Sequence, residues 1–247
     1  MPKQALIMID MQRGFLDSAS PLCIPAAEGT VPACAALIGR CHEAGVPVIY
    51  AVRHYRADGT DVEKPRAAVW ASGGKPLSED CAAHLSDAFP DAFTVLPQDY
   101  VLVKPRFSAF FHTSLDLILR RLGVQTVLLA GTTTPNCIRT TCYDAISLDY
   151  DAVVLSDCTS SVTDAVQAGQ GPGGQIAPGV VFAIRHDEVE MRVMFSPRAP
   201  TCTLPSLSEI YGEKSTVSPP DVISTVTSGK MSLTLQPMTK ASPFVCS

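Results

Sequence analysis

The sequence predicts an α/β fold in which a doubly wound, mostly parallel β-sheet of five to six strands is flanked by helices. Two observations support this fold class. Short, continuous runs of Val, Ile and Leu recur along the chain, and such runs are typical of strands that are buried on both faces. Helix-like segments separate the runs, and two of them end at a glycine, Gly45 and Gly123, directly before the next strand. Because strands and helices alternate, we expect a parallel sheet with helices on both faces.

The individual elements follow from the same pattern. Strands are predicted at residues 5–9, 46–52, 100–103, 124–130 and 152–155, with 179–184 as a candidate sixth strand after the glycine-rich segment 169–174. Helices are predicted at residues 32–44, 78–84, 114–122 and 135–148. The second helix falls in a long, weakly patterned connection between residues 55 and 99.

The composition changes near residue 200 and divides the chain into two parts. Residues 1–200 are predicted to form one α/β domain. Residues 201–247 contain 16 Ser or Thr and five Pro, with little apolar periodicity. Such a segment buries too little apolar surface to offset the entropy lost on ordering it. We therefore expect a flexible tail at 201–247.

Charge and composition exclude several classes of protein. The formal charge of −5 is spread along the 247 residues and leaves no basic stripe, so no nucleic-acid partner is expected. No stretch resembles a membrane span. The N-terminal apolar run stops at Asp10, which makes it too short for a secretory signal. The nine cysteines are odd in number and form no Cys-x-x-Cys pair, which favours reduced thiols and a cytoplasmic location.

Three chemically active side chains follow three of the predicted strands. Asp10 ends the first strand, Lys104 ends the third, and Cys137 lies shortly after the fourth, at the start of a helix. In parallel α/β sheets, reactive groups collect where strands end at their carboxyl side. We therefore expect an acid, a cation and a thiol at one edge of the sheet. Taken singly, each has an ordinary structural interpretation: a turn residue, a solvated lysine and a small buried residue.

Each of these residue types suits one step of nucleophilic catalysis. Cys137 is expected in the first turn of a helix that Thr134 caps and that has Pro135 at its first position. The positive end of the helix and Lys104 would then lower the pKa of the thiol. Asp10 could accept the thiol proton and pass it to a leaving nitrogen. The backbone N–H groups of the turn at 131–137 could bind an oxyanion.

The three sequence motifs that contain these residues, DMQRGF, KPRFSAF and GTTTPNC, resemble those of the isochorismatase-like cysteine hydrolases. That superfamily includes nicotinamidases, N-carbamoylsarcosine amidohydrolase, and biuret and ureidoacrylate hydrolases. The resemblance covers residues 5–163 in the same order and spacing. It implies that Asp10, Lys104 and Cys137 form a catalytic triad and that the chain forms homo-oligomers. It also implies a cis peptide between Thr132 and Thr133, with the N–H groups of Thr133 and Cys137 as the oxyanion hole.

Metal binding is not expected. Metal-dependent nicotinamidases carry an Asp-x-His pair after the second strand, whereas this chain reads AVRHYR there and has His54 without the Asp. His84 and His112 show no ligand spacing.

The substrate pocket is the least determined part of the prediction. Arg53 matches planar carboxylates or ureido groups, but a surface ion pair is an equal alternative. The other candidate pocket residues are aromatic, and each is equally compatible with plain core packing: Phe15, Tyr55, Trp70, Phe107 and Phe110.

The leading hypothesis is a hydrolase, without metal or other cofactor, that cleaves a C–N bond in a small amide, carbamoyl or urea-like compound. An isochorismatase-type vinyl-ether hydrolase is the first alternative, but it would use the acid and need no nucleophilic sulfur. A catalytically idle binding protein of the same fold is the second alternative.

Overall fold

A computed structural model of the chain describes residues 4–168 and 181–186. All of them belong to the first of two units into which the chain divides, residues 1–195. The predicted boundary at residue 200 and the predicted tail at 201–247 lie outside the described residues and stay predictions. No described helix is long and apolar enough to cross a membrane.

The strands are β1 (Gln4–Ile9), β2 (Val48–Val52), β3 (Tyr100–Val103), β4 (Thr126–Thr132), β5 (Asp151–Ser160) and β6 (Val181–Ile184). The helices are α1 (Arg13–Leu16), α2 (Ala27–Glu43), α3 (Ala67–Ser72), α4 (Leu115–Leu122), α5 (Arg139–Ser147) and α6 (Asp164–Ala168). A short 3₁₀ turn spans Ala83–Leu85, and a π-helical turn spans Thr134–Ile138.

The strands form one sheet in the order β3-β2-β1-β4-β5-β6, and every neighbouring pair is parallel. The chain starts at the centre of the sheet, proceeds outward to β3, and then crosses back to β4 on the other side of β1. The strand order therefore reverses between β1 and β4, and in open α/β sheets ligands bind beyond the carboxyl ends of the strands at such a point. The predicted fold class is confirmed, including the sixth strand.

Side chains of β1 explain why the sheet is covered on both faces. Alternate side chains of a strand point to opposite faces. Ile7 and Ile9 pack in a core with Leu115 and Leu119 of α4, whereas Leu6 and Met8 pack in a second core with residues of α2. Both faces are thus apolar, which is why the strand reads as a continuous apolar run.

Two helix predictions need correction. The helix predicted at 78–84 is wrong: this stretch is turns, and Ser78 instead forms an isolated parallel bridge with Tyr55. The helix in this connection is α3, which buries Trp70. Helix α2 begins at Ala27 rather than at residue 32, so that Pro32 lies inside it.

Gly131 allows the two central strands to approach each other closely. Its φ of +111° lies in a region that side chains disfavour, and a Cβ at this position would overlap the backbone carbonyl of Ile9. Glycine is therefore required where β4 passes β1, directly before the turn that carries Cys137.

Candidate active site

The residues Asp10, Lys104 and Cys137 lie at the carboxyl edge of the sheet. Asp10 follows β1 and donates its backbone N–H to the Ala51 carbonyl of β2 at 3.0 Å. Lys104 follows β3 and donates its backbone N–H to the Val52 carbonyl of β2 at 2.8 Å. Cys137 lies in the π-helical turn after β4. The sheet ladder thus fixes the acid and the lysine on either side of β2.

The three side chains meet below the surface. Lys104 Nζ donates to Asp10 Oδ2 at 2.8 Å and lies 3.6 Å from Cys137 Sγ. Asp10 is 2% exposed, Lys104 1% and Cys137 4%, so water screens these interactions weakly. The ammonium is the shared neighbour of acid and thiol, and it also donates to the Arg106 carbonyl at 3.2 Å. Asp10 Oδ1 has no hydrogen-bond partner among the described residues, which leaves it available to accept a proton.

The pKa of the Cys137 thiol is raised, not lowered as the sequence led us to expect. Burial is the largest cause, and the negative charge of Asp10 is the second; Lys104 and Arg53 act in the opposite direction. Removing the thiolate from water raises the pKa of Cys137 by more than the two cations lower it. The resting group is a neutral thiol that shares the Lys104 ammonium with the Asp10 carboxylate.

The turn after β4 is held by its neighbours. The peptide bond between Thr132 and Thr133 is cis. The predicted Thr134 cap is wrong, because the Thr134 hydroxyl donates to the Ser160 carbonyl at 3.1 Å rather than capping the helix. The Thr133 carbonyl accepts hydrogen bonds from the backbone N–H groups of Asn136 and Ile138, both at 3.2 Å. Among the described residues outside helices and strands, no backbone carbonyl accepts a hydrogen bond from the Thr133 N–H.

A family model of the isochorismatase domain matches residues 4–169, which include all three side chains of the site. The chain belongs to the isochorismatase family.

Three similar proteins place the chain within this family. A probable inactive nicotinamidase from Arabidopsis thaliana is 36% identical over 64% of this chain and 81% of its own length. A maleamate amidohydrolase from Pseudomonas putida is 33% identical over 63% of this chain and 71% of its own length. A solved isochorismatase family protein from Desulfovibrio vulgaris is 38% identical, with a TM-score of 0.69 over 76% of this chain and 96% of that one. The isochorismatase fold therefore extends over the part of the chain that carries the site.

Arg53 occupies a buried position in this isochorismatase site, and the alternative of a surface ion pair is wrong. Its side chain is 0% exposed and forms an ion pair with Glu63. The Tyr55 hydroxyl donates to the same carboxylate at 2.7 Å. The Arg53 guanidinium carbon lies 5.6 Å from the centre of the Phe107 ring, which is 37% exposed. Arg53, Tyr55 and Phe107 are therefore linked in one network beside the triad.

The remaining aromatic candidates pack in apolar clusters, and their assignment to the substrate pocket stays a prediction. Phe15 and Trp70 lie in a small apolar cluster that also includes Tyr55 and Leu77. The indole of Trp70 donates to the Pro76 carbonyl at 2.8 Å. Phe110 packs against the main core and stacks on Tyr150, with ring centres 5.9 Å apart.

Two polar residues of the site were missed by sequence reasoning. Gln12 is 0% exposed; its side-chain amide donates to the Arg53 carbonyl at 2.7 Å and accepts from the Arg53 N–H at 2.8 Å. Glu63 is buried as the partner of Arg53. Gln12 lies in the DMQRGF motif, so its proximity to Asp10 was a usable signal. Nothing in the sequence marks Glu63 among the other acidic residues of its loop.

The described residues give His54 no set of metal ligands. His54 Nδ1 pairs with Asp87 Oδ2 at 2.7 Å. Only one described group combines three potential ligands closely enough to hold an ion: Asp157, Cys158 and His186. This group lies at β5 and β6, separate from the triad. The prediction that the isochorismatase site needs no metal stays a prediction.

Proposed function

We propose that this protein hydrolyses a C–N bond of a small amide, carbamoyl or urea-like compound through an acyl-enzyme on Cys137. The observation that carries the proposal is that one ammonium, Lys104 Nζ, contacts both the Asp10 carboxylate and the Cys137 sulfur. A nucleophile and a base held around one orienting cation are the parts that covalent hydrolysis requires.

The reaction begins with proton transfer from the thiol to Asp10 as Cys137 Sγ attacks the substrate carbonyl carbon. The oxygen of the tetrahedral intermediate becomes negative and accepts hydrogen bonds from the N–H groups of Thr133 and Cys137. The C–N bond then breaks, and Asp10 returns the proton to the leaving nitrogen. A water molecule then attacks the thioester carbon and gives one proton to Asp10. The C–S bond breaks, the acid product leaves, and the proton on Asp10 returns to the Cys137 sulfur.

The raised pKa of the Cys137 thiol supports a base-assisted attack. A thiol that is neutral at rest needs a nearby proton acceptor, and the ammonium that contacts its sulfur also holds the Asp10 carboxylate. Lys104 keeps the charge of this buried site balanced, since a buried carboxylate without a partner is costly. As the thiolate forms, the same ammonium stabilises the new negative charge.

Two alternatives predict different experimental results. A vinyl-ether hydrolase would use Asp10 to protonate carbon and would not need the sulfur. An idle binding protein would bind ligands without turnover; one relative bears the name of a probable inactive nicotinamidase, but that name describes the relative. The complete Asp–Lys–Cys arrangement in this chain favours activity.

The decisive experiment is a screen for ammonia release. Nicotinamide, maleamate, N-carbamoyl amino acids, biuret and ureidoacrylate would be incubated with the full chain, with the Cys137→Ala variant as the blank. Release above the blank supports the proposal. Hydrolysis of isochorismate by both proteins would instead support the vinyl-ether reaction, and no turnover of any compound would support the idle protein.

We expect activity to survive removal of metal ions. The Asp-x-His pair of metal-dependent relatives is missing, and His54 is already paired with Asp87. The enzyme would be dialysed against a strong chelator and assayed beside an untreated sample. Activity lost on dialysis and restored by Zn²⁺ or Fe²⁺ would contradict this prediction.

Replacing Lys104 with methionine should raise the pKa of the Cys137 thiol still further. Lys104 is one of the two cations that lower this pKa, so its loss disfavours the thiolate. The rate of alkylation by iodoacetamide, measured against pH, should therefore move to higher pH. Lys75→Met, which removes a half-exposed lysine outside the triad, is the control. A superimposable profile for wild type and Lys104→Met would remove Lys104 from its assigned role.

A further inference from the structure

The guanidinium of Arg53 has hydrogen-bond donors that no described residue satisfies. Its Nη1 donates to Glu63 and to the Pro105 carbonyl at 3.2 Å. Its Nε and Nη2 atoms are buried and have no partner among the described residues. Leaving such donors buried and unpaired is costly, and in folded proteins they are nearly always satisfied by protein, water or a ligand.

The two unpaired nitrogens share one edge of the guanidinium. Nε and Nη2 present parallel N–H groups, which is the fork that binds a carboxylate through two hydrogen bonds. The opposite side of the group is held by Glu63. Although burial opposes ionisation, Arg53 lowers the pKa of Glu63, so this ion pair persists at neutral pH. The fork is therefore held in a fixed orientation before any ligand arrives.

The position of Arg53 relates this fork to the reaction. Arg53 follows β2, and the backbone of β2 bonds directly to Asp10 on one side and to Lys104 on the other. Although burial opposes it, the negative charge of Asp10 raises the pKa of Arg53. The carboxylate of the candidate site thus acts electrostatically on the guanidinium.

The charges near the fork favour an anion. Asp10 and Glu63 are matched by Lys104 and Arg53, and Arg66 adds a further cation. The Arg66 guanidinium carbon lies 5.6 Å from the centre of the Phe107 ring, the same ring that Arg53 approaches. Arg66 also donates to the Tyr55 hydroxyl at 3.4 Å. Arg106 also donates to the Pro105 carbonyl that Arg53 contacts, so cations outnumber carboxylates among these groups.

We infer that the Nε–Nη2 edge of Arg53 binds a carboxylate of the substrate, so that the substrates are small amides or ureas that also carry an acid group. The inference rests on the proposed function and narrows it. Arg53 is thereby a substrate-binding residue that orients the scissile carbonyl toward Cys137. Phe107, partly exposed beside it, covers the apolar part of the bound molecule.

The first test compares two substrates of equal size. Maleamate carries an amide and a carboxylate, whereas maleamide carries two amides on the same carbon skeleton. The wild-type enzyme should have a kcat/KM at least about tenfold higher for maleamate, because only the acid pairs with both N–H groups and the positive charge. Arg53→Lys keeps the charge but loses the fork. It should lower the preference for maleamate over maleamide, expressed as the ratio of their kcat/KM values, by about tenfold or more.

Arg120→Lys provides the matched control, since Arg120 is an exposed arginine paired with Asp116 on α4. Equal kcat/KM values for the two substrates in wild type, or a parallel loss of both in Arg53→Lys, would overturn the subsite. In either case turnover itself would still support Cys137 hydrolysis.

A second measurement does not depend on turnover, and its main comparison uses the wild-type protein alone. Succinate, but not neutral succinamide, should slow the alkylation of Cys137 in the wild-type protein, because the bound acid occupies the site. Protection should be lost in Arg53→Lys. Absence of protection by succinate at high millimolar concentration would refute the carboxylate subsite, whatever the outcome of the substrate screen.

Discussion

Cys137→Ala is expected to lower kcat by at least about a thousandfold on any substrate that the wild-type protein hydrolyses, because loss of the nucleophile removes the covalent route. The fold should persist, since the change deletes one sulfur atom from a tightly packed turn. The measurement is steady-state ammonia release, with circular dichroism to check the structure. Mass spectrometry of quenched wild-type reactions should also show an acyl adduct on the peptide that contains Cys137.

The control is Cys81→Ala, which removes a partly exposed free cysteine remote in sequence from the triad. Its activity should match that of wild type. If Cys137→Ala retained activity within about tenfold of wild type, the sulfur would not be the nucleophile, and the vinyl-ether alternative would gain support.

Asp10→Asn is expected to lower turnover about as much as Cys137→Ala does, but to increase the reactivity of the Cys137 thiol. Turnover should fall by at least about a thousandfold, because no group remains to accept the thiol proton or to protonate the leaving nitrogen. The negative charge of Asp10 raises the pKa of Cys137, so removing it lowers that pKa. Lys104 also loses its counter-ion and can then stabilise the thiolate. Alkylation of Cys137 should therefore become faster at neutral pH even though catalysis is lost.

The alkylation profile would be recorded from about pH 6 to pH 10, a range that spans the ordinary pKa of a thiol. Asp116→Asn, an isosteric change of a partly exposed carboxylate on α4, is the matched control. Thermal melting is needed as well, because breaking the buried pair of Asp10 and Lys104 can cost about 3–5 kcal/mol. A profile that is unshifted, or shifted to higher pH, would show that Asp10 does not control the thiol.

The sequence was sufficient to predict where the acid, the lysine and the thiol stand. Each of the three follows a continuous apolar run, and parallel strands end at one edge, so the positions of Asp10, Lys104 and Cys137 follow from pattern alone. The sign of the shift in the Cys137 pKa could not be predicted. It depends on how far burial outweighs two cations, and burial is a property of the packed molecule.

The connection between β2 and β3 shows the limit of pattern reasoning. Its 3₁₀ turn and its short helix α3 are too brief to show a helical period, and the burial of Trp70 depends on contacts with distant residues. The pairing of Arg53 with Glu63 likewise arises from the path of this loop. The features that select a substrate therefore lie where local sequence carries the least information.

The ammonium of Lys104 bonds to a carboxylate 94 positions away in the chain and approaches a sulfur 33 positions away. Both loops must be closed before the three groups can meet, and the entropy of closing them is offset only by the assembled sheet. No contiguous peptide of the chain can hold this chemistry. Lys104 follows the edge strand β3, so the three groups stay together only while β3 remains paired with β2, and β1 with both β2 and β4. The activity proposed for Cys137 therefore depends on the pairing of all four strands, and we expect thermal inactivation to follow the loss of that pairing.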